Sequence, residues 1–151
     1  MKNTEAQKNA LERMRPGHIT AQGFLGPDTR SLADIIEADE EELRRLGVDP
    51  EEAAAYLERL RDEGQKGLGE PIGVDGRWVV TTGDARGMLP CPWSDGFYHK
   101  NSIRIQEEDG SLVLIYSDLS IHLLRVHHFL QGKGSAFRLE PATLAKLLSA
   151  R

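Results

Sequence analysis

Two Asp-Gly pairs, at 75–76 and 109–110, each lie between two short apolar runs. Both residues of such a pair tolerate positive φ, which is what the tight turn of a two-residue β-hairpin requires. We therefore predict two hairpins, one joining 71–74 to 77–82 and the other centred on 109–110. Hairpins connect antiparallel neighbours, so the second half of the chain should contain a small antiparallel sheet.

The second hairpin can be aligned residue by residue. A two-residue turn at 109–110 joins 103–108 to 111–116, and by the two-residue period of a strand it places five apolar side chains on one face. Those five residues are Ile103, Ile105, Leu112, Leu114 and Tyr116. The turn also predicts that Ile105 pairs with Leu114 and that Ile103 pairs with Tyr116.

The N-terminal half carries helix signals instead. After a first helix near 4–14, Ser31, Asp39 and Asp49 each have the sequence context of a helix N-cap. We predict three short helices from these starts. Glycine residues commonly follow the last turn of a helix, so Gly47 and Gly64 are the predicted stops of the second and third of them.

Together these patterns predict an α+β fold: short N-terminal helices, then a small antiparallel sheet of hairpins with one packed helix and a C-terminal helix. The last helix should begin at Pro141, and 137–139 should add a short strand. A glycine-rich join after residue 63 divides a helical subdomain, 1–66, from an α+β domain, 67–151. The two parts can pack as one domain.

Charge is concentrated in residues 28–63, which hold thirteen Asp and Glu against five Arg. Three short helices in a row are also the outline of a helix-turn-helix, so nucleic-acid binding by 28–63 is one functional alternative. Contacts with phosphate need Lys or Arg, however. The acidic excess therefore argues against nucleic acid as a partner.

The composition, 39% apolar and 28% charged, is that of an ordinary soluble protein. No apolar run is long enough to cross a bilayer, and the charged N-terminus lacks the apolar core of a secretion signal. A single Cys cannot form an internal disulfide. We expect a cytoplasmic protein with no membrane partner.

The stretch SDLSIHLLRVHHFLQGKG, residues 117–134, holds three of the five histidines. Four of its apolar residues follow the helical period: Leu119, Leu123, Val126 and Leu130. We predict a helix over 118–130, capped by Ser117 or Asp118 and stopped by Gly132. Ile121 and Leu124 lie off that stripe, so the helix should be buried on more than one side.

The histidines occupy different sides of this predicted helix. At about 100° per residue, His122 and His127 lie roughly 140° apart, and the i, i+4 pair of an H-E-x-x-H zinc helix is absent. The helix alone is therefore not predicted to chelate a metal. His122 flanks the apolar stripe and should be at least half buried, whereas His128 should be more exposed.

Further metal ligands are available in the segment between Thr82 and Ile103, which has little regular pattern and is predicted to be a long loop folded back on the core. It supplies Cys91, between two prolines, and His99. Zinc accepts thiolate and imidazole ligands. The candidate zinc set is Cys91, His99, His122 and either His127 or His128, although no two of these stand at a spacing we identify as typical of zinc.

Two other chemistries fit the same loop. Gly83-Asp84-Ala85-Arg86-Gly87 is glycine-bounded, so its backbone N–H groups and Arg86 can hold a small anion, with Asp84 and His99 nearby. Alternatively, Cys91 can act as a nucleophile with His99 or His122 as base and Asp118 orienting that base. The flanking prolines keep Cys91 away from a helix N-terminus, which is one of the settings that activate a thiol.

The function expected from these patterns is a binding or accessory module. Its pocket would lie between loop 83–99 and helix 118–130, and its ligand would be a small anion or a protein partner. The alternative from another class is a zinc hydrolase that uses the same Cys and His residues, with zinc-bound water as the nucleophile.

Overall fold

A computed structural model describes residues 2–151, which form five helices and one four-stranded antiparallel sheet. The helices are α1 (Glu5–Arg13), α2 (Leu32–Arg45), α3 (Pro50–Gln65), α4 (Asp118–His127) and α5 (Pro141–Ser149). The strands are β1 (Ile72–Val74), β2 (Trp78–Pro90), β3 (Phe97–Gln106) and β4 (Leu112–Tyr116), in the spatial order β1-β2-β3-β4. The predicted α+β fold is confirmed.

Most helix starts are where local sequence places them. The side chains of Ser31, Asp49 and Ser117 each accept a hydrogen bond from a backbone N–H of the first turn that follows. The predicted start at Asp39 is wrong, because α2 continues through it without a break. Asp39 is 4% exposed and its carboxylate pairs with the Arg138 side chain instead of capping a helix.

Gly64 is not a helix stop, since α3 continues to Gln65. It lies where α3 packs against β2, and a Cβ at this position would stand 2.4 Å from Cγ1 of Val80 and 3.0 Å from Cγ2 of Thr82. The missing side chain therefore allows the close approach of helix and sheet. Gly47 does follow the end of α2, with φ of +71°.

We expect Gly64→Ala to lower the free energy of unfolding by about 1 kcal/mol and by no more than about 2 kcal/mol, because overpacking costs about 1–3 kcal/mol and better helix propensity offsets about 1 kcal/mol of that. Urea denaturation measures the change. Gly73→Ala is the matched control, since no atom lies within 4 Å of its added Cβ. If both variants unfold at the same urea concentration, the helix–sheet contact at Gly64 is not as close as described.

The register of the second hairpin confirms both predicted pairs, Ile103 with Tyr116 and Ile105 with Leu114. The two-residue turn itself is wrong, because the register shifts by one residue and Gln106 pairs with Leu112. This β-bulge leaves three residues in the turn and reverses the alternation beyond it. Leu112 is consequently 54% exposed, instead of sharing the buried face.

The first hairpin also has one more turn residue than predicted. Val74 pairs with Trp78, so that 75–77 lie between the strands. Asp75 and Gly76 do have positive φ, at +58° and +63°, and the Arg77 N–H donates to the Val74 carbonyl. The preference of the Asp-Gly pair for positive φ is therefore confirmed, while the register is offset by one residue.

The predicted long loop between Thr82 and Ile103 is wrong, because most of it is strand. β2 and β3 extend beyond their outer neighbours and pair with each other, leaving only 91–96 as the connection. A bulge interrupts this ladder between Asp84 and Met88. The sequence of 83–88 lacks the alternation of apolar and polar side chains that marks a half-buried strand, because these residues are exposed on both faces of the sheet. The predicted short strand at 137–139 is not formed.

The helix α4 is shorter than predicted and ends at His127. His128 is left-handed, with φ of +52°, so the chain turns away before Leu130 and Gly132. Val126 is 53% exposed rather than part of the buried stripe. Burial on two sides is confirmed, since Ile121 and Leu124 contact one hydrophobic cluster and two other residues of the helix contact a second.

These two clusters form the core. The larger contains residues of α3, α5 and the sheet, and the smaller joins α1 and the start of α2 to the far end of the β2–β3 hairpin. Both clusters include residues from 1–66 and residues from 67–151. The helix α4 lies between them and thereby faces the connection 91–96. Among residues 2–151, no helix has the length and apolarity needed to span a bilayer.

Candidate metal centre

The connection 91–96 is a compact turn that presents side chains to α4. The Cys91 N–H donates to the Gly96 carbonyl over 2.9 Å, and the Ser94 N–H donates to the Cys91 carbonyl over 2.8 Å. Ser94 has a φ of +61°, which reverses the chain. The Arg13 guanidinium of α1 donates to the Pro92 carbonyl and fixes the turn from outside. Cys91 and Asp95 are held by this backbone.

Four potential metal ligands converge there. The Cys91 sulfur, an Asp95 carboxylate oxygen and one ring nitrogen each from His122 and His127 all lie within 4.8 Å of one another. His127 Nε2 is 3.7 Å from Cys91 Sγ and 2.7 Å from Asp95 Oδ2, and His122 Nε2 is 3.0 Å from Asp95 Oδ1. All four donor atoms therefore point at one small volume.

Both imidazole rings are held in place by a second layer of side chains. His122 stacks on Tyr98, with ring centroids 4.4 Å apart, and its Nδ1 is 2.8 Å from the Tyr98 hydroxyl. His127 stacks on Trp93 at 4.1 Å, with the rings 9° from parallel. Hydrogen bonding at one ring nitrogen and packing on the ring face are what orient a metal-binding histidine.

Burial and hydrogen bonding set the charges of this cluster. Burial, with help from the Asp95 carboxylate, raises the pKa of the Cys91 thiol to about 12. Burial opposes ionisation of Asp95 too, but hydrogen bonds from Cys91, His122 and His127 outweigh it and lower its pKa to about 2. Burial lowers the pKa of His127 against the opposing pull of Asp95. A neutral thiol and an ionised carboxylate therefore face the histidines.

The spacing of the donors fits a tetrahedral ion. Zinc bonds of about 2.3 Å to sulfur and 2.0–2.1 Å to nitrogen place those two atoms about 3.6 Å apart in a tetrahedron. The distance between Cys91 Sγ and His127 Nε2 is 3.7 Å. The Asp95–histidine pairs are hydrogen bonded and stand closer, so a bound ion would replace those hydrogen bonds. An ion would also displace the thiol proton, because the thiolate is the ligand.

The same geometry argues against Cys91 as an activated nucleophile. In a nucleophile–base–orienter relay, the base contacts the nucleophile through one ring nitrogen and the orienting carboxylate through the other. Here Cys91 and Asp95 both approach Nε2 of His127, and the predicted orienting residue, Asp118, pairs with Arg61 instead. Cys91 is also completely buried, with a raised pKa, the reverse of a reactive thiol.

Three of the predicted metal ligands are brought together: Cys91, His122 and His127. His99 is not with them, since it lies on β3 with its Nε2 3.5 Å from Asp84 of the neighbouring strand. His128 points to α2, where its Nδ1 is 2.7 Å from a Glu40 oxygen. The expected burial order is confirmed, with side-chain exposures of 10% for His122 and 39% for His128.

The predicted anion-binding residues lie elsewhere. Asp84 and Arg86 belong to the bulged part of β2, not to a loop, and both are exposed. His99 is close to Asp84, as expected, but 51% of its side chain is exposed. Anion binding at this bulge stays a prediction, and the bulge is separate from the Cys91 cluster.

Asp95 is not among the predicted metal ligands, and the spacing of His122 and His127 is a zinc signal that the prediction does not use. Asp95 follows Cys91 by four positions, a separation that carries no general signal of its own. His122 and His127 are separated by four residues, which falls within the H-x3–5-H spacing of zinc fingers. The i, i+4 pair of a helix is one zinc spacing, and the H-x3–5-H spacing is the signal that this sequence does contain.

Comparison with known proteins gives no match: no protein-family model, curated protein or solved structure is significantly similar to this chain. The role of the cluster therefore has to follow from its own chemistry.

Proposed function

We propose that this chain is a small metal-binding module that holds one zinc ion at Cys91, Asp95, His122 and His127. The observation that supports this most is the convergence of one sulfur, one carboxylate oxygen and two imidazole nitrogens within 4.8 Å. Hydrogen bonding alone does not require a thiol in that set. A shared cation explains why four donor atoms from two separate elements meet at one point.

The donor types favour zinc among common cations. Thiolate and imidazole suit zinc and its neighbours in the transition series, whereas magnesium and calcium prefer oxygen ligands. With two neutral histidines, a thiolate and a carboxylate, the ligands would bring two negative charges and neutralise a divalent ion. A single reduced Cys is compatible with a cytoplasmic setting, which we include in the proposal.

Four protein donors favour a binding or structural role over the hydrolase alternative. A catalytic zinc keeps a position open for water, whereas a structural zinc is closed by four protein ligands. Hydrolysis at this site would require Asp95, 36% of whose side chain is exposed, to leave the ion. The acidic excess of 28–63 continues to argue against nucleic acid as a partner.

The direct test is the metal content of the purified full chain after exhaustive dialysis, with cobalt as a spectroscopic substitute. We expect one zinc per chain, and for the cobalt form a near-ultraviolet thiolate-to-metal absorption that Cys91→Ser abolishes. Cys91→Ser should weaken metal binding by more than the roughly 10–100-fold typical of losing an outer-layer partner. His99→Ala is the control and should bind as the unmodified chain does.

Two results would contradict the proposal. One is a dialysed protein, expressed with ample zinc, that contains far less than one ion per chain. The other is cobalt binding by Cys91→Ser with unchanged affinity, which would show that the thiol is not a ligand.

A further inference from the structure

A cavity of about 470 Å³ lies between two loops and the sheet, and it is separate from the metal cluster. None of Cys91, Asp95, His122 and His127 lines it. Its walls come from the loop before α2, the loop after α4, the end of β2, the middle of β3 and the start of α4. The volume is within the range of small-molecule sites in proteins, about 300–1,000 Å³.

The two loops hold the cavity open in a fixed shape. The Gly132 N–H donates to the Phe24 carbonyl over 3.0 Å, and the Lys133 N–H donates to the Asp28 carboxylate over 3.0 Å. A Cβ on Gly26 would stand 2.7 Å from the Ser135 nitrogen, so the two backbones are in close contact. Walls fixed in this way need little ordering when a ligand binds.

The polar side chains of the lining include one cation and several amides and hydroxyls, but no carboxylate. Lys100 is the one charged residue of the lining, and within residues 2–151 it forms no ion pair. Asn101 uses its Oδ1 to accept from the Asp118 N–H, which leaves its NH₂ group as a donor. Although the chain has 24 Asp and Glu, none of them lines the cavity.

Gln131 supplies the most specific of these donors. It is 6% exposed and has a φ of +69°, and its Oε1 accepts from the Ser135 hydroxyl over 2.7 Å. Its NH₂ group has no acceptor within the described part of the chain. Within residues 2–151, every fully buried side-chain nitrogen or oxygen atom has a hydrogen-bond partner. The NH₂ group of Gln131 has none, so it is not fully buried. Because Gln131 lines the cavity, we place this NH₂ group at the cavity.

Thr20, Gln22 and Ser117 add further hydroxyl and amide groups to the lining, and its largest apolar members are Phe24, Leu89, Leu119 and Phe137. The lining thus combines one cation and two amide donors with aromatic and aliphatic walls. A carboxylate group attached to an apolar body complements this combination. We propose that the cavity binds a small organic carboxylate with an apolar body of on the order of ten non-hydrogen atoms. The carboxylate contacts Lys100 and the amide groups of Asn101 and Gln131, and the apolar body packs against the walls.

The experiment compares carboxylates with uncharged partners of the same shape, using the full chain. The probes are 1-naphthaleneacetate, 3-phenylpropionate and decanoate, each beside the corresponding primary alcohol, titrated by calorimetry and by ¹H–¹⁵N spectra. We expect saturable binding of at least one carboxylate, with a dissociation constant about fivefold lower than that of its alcohol. This ratio corresponds to one charge-assisted hydrogen bond that is partly exposed to solvent.

Three variants locate the site. Lys100→Gln should remove the preference for carboxylate and leave alcohol binding unchanged. Lys8→Gln makes the same change of charge on α1, outside the lining, and should change neither. Ala136→Trp, at an exposed position of the wall, should fill the cavity and abolish binding of both probes without unfolding the chain.

Failure of all three carboxylates to bind at millimolar concentration would overturn the inference. Equal affinity for acid and alcohol would overturn the assignment of the carboxylate, and unchanged binding by Ala136→Trp would overturn the location. Because the metal content of these variants is measured separately, each outcome is independent of the zinc proposal.

Discussion

Asp39→Asn is expected to lower the free energy of unfolding by about 3–5 kcal/mol, the usual cost of leaving one partner of a buried ion pair without the other. The Arg138 guanidinium donates to both Asp39 oxygens over 2.8 Å, and the two side chains are 3% and 5% exposed. Arginine cannot relieve the loss by deprotonating. Its remaining partners, Glu140 and the Gln131 carbonyl, do not replace a buried carboxylate.

Chemical denaturation at neutral pH measures this change. Glu140→Gln is the control, because it removes the other carboxylate that Arg138 contacts, a group that is 55% exposed and should contribute less than about 1 kcal/mol. Replacing both buried partners, in Asp39→Leu with Arg138→Met, should recover much of the stability. A loss below about 1 kcal/mol in Asp39→Asn would show that water reaches the pair.

The ion pair has a structural consequence beyond its own energy. Arg138 also donates to the carbonyl of Gln131, so it joins α2 to the loop that forms one wall of the cavity. We attribute the left-handed backbone of Gln131 to this anchoring, since a non-glycine residue at positive φ needs surrounding contacts to hold it.

The second large effect concerns metal and stability together. If zinc binds only the folded chain, free zinc at about 1,000 times its dissociation constant should raise the free energy of unfolding by about 4 kcal/mol. His122→Ala should eliminate that gain, whereas His128→Ala should keep it. Thermal melts with added zinc and with a chelator measure both, and the chelator should return the unmodified chain to its metal-free melting temperature.

The same variants test the burial of the two histidines without metal. His122 is 10% exposed and contacts both Tyr98 and Asp95. In the presence of a chelator, which keeps the protein free of metal, His122→Ala should therefore lower the free energy of unfolding by on the order of 1 kcal/mol more than His128→Ala does. Equal melting temperatures in chelator, or zinc stabilisation that survives His122→Ala, would contradict the geometry of the centre.

Features that depend on residues close in the chain could be predicted from sequence. Ser31, Asp49 and Ser117 cap helices because each side chain reaches a backbone N–H three positions ahead. The pairs Ile103 with Tyr116 and Ile105 with Leu114 follow from a short turn and the period of a strand. Cys91, His122 and His127 can be predicted as metal ligands from side-chain chemistry alone.

What the sequence could not determine depends on contacts between distant residues. Asp39 has the local pattern of a helix cap, but Arg138, 99 positions away, takes its carboxylate into the core, and α2 continues. Asp95 becomes a candidate ligand only because the turn 91–96 packs against α4, and His99 is excluded because its strand carries it to Asp84. Capping and alternation are short-range effects that sequence records directly. Which acidic group is buried, and which donors meet, is decided by tertiary packing, because burial energies outweigh local preferences of about 1 kcal/mol.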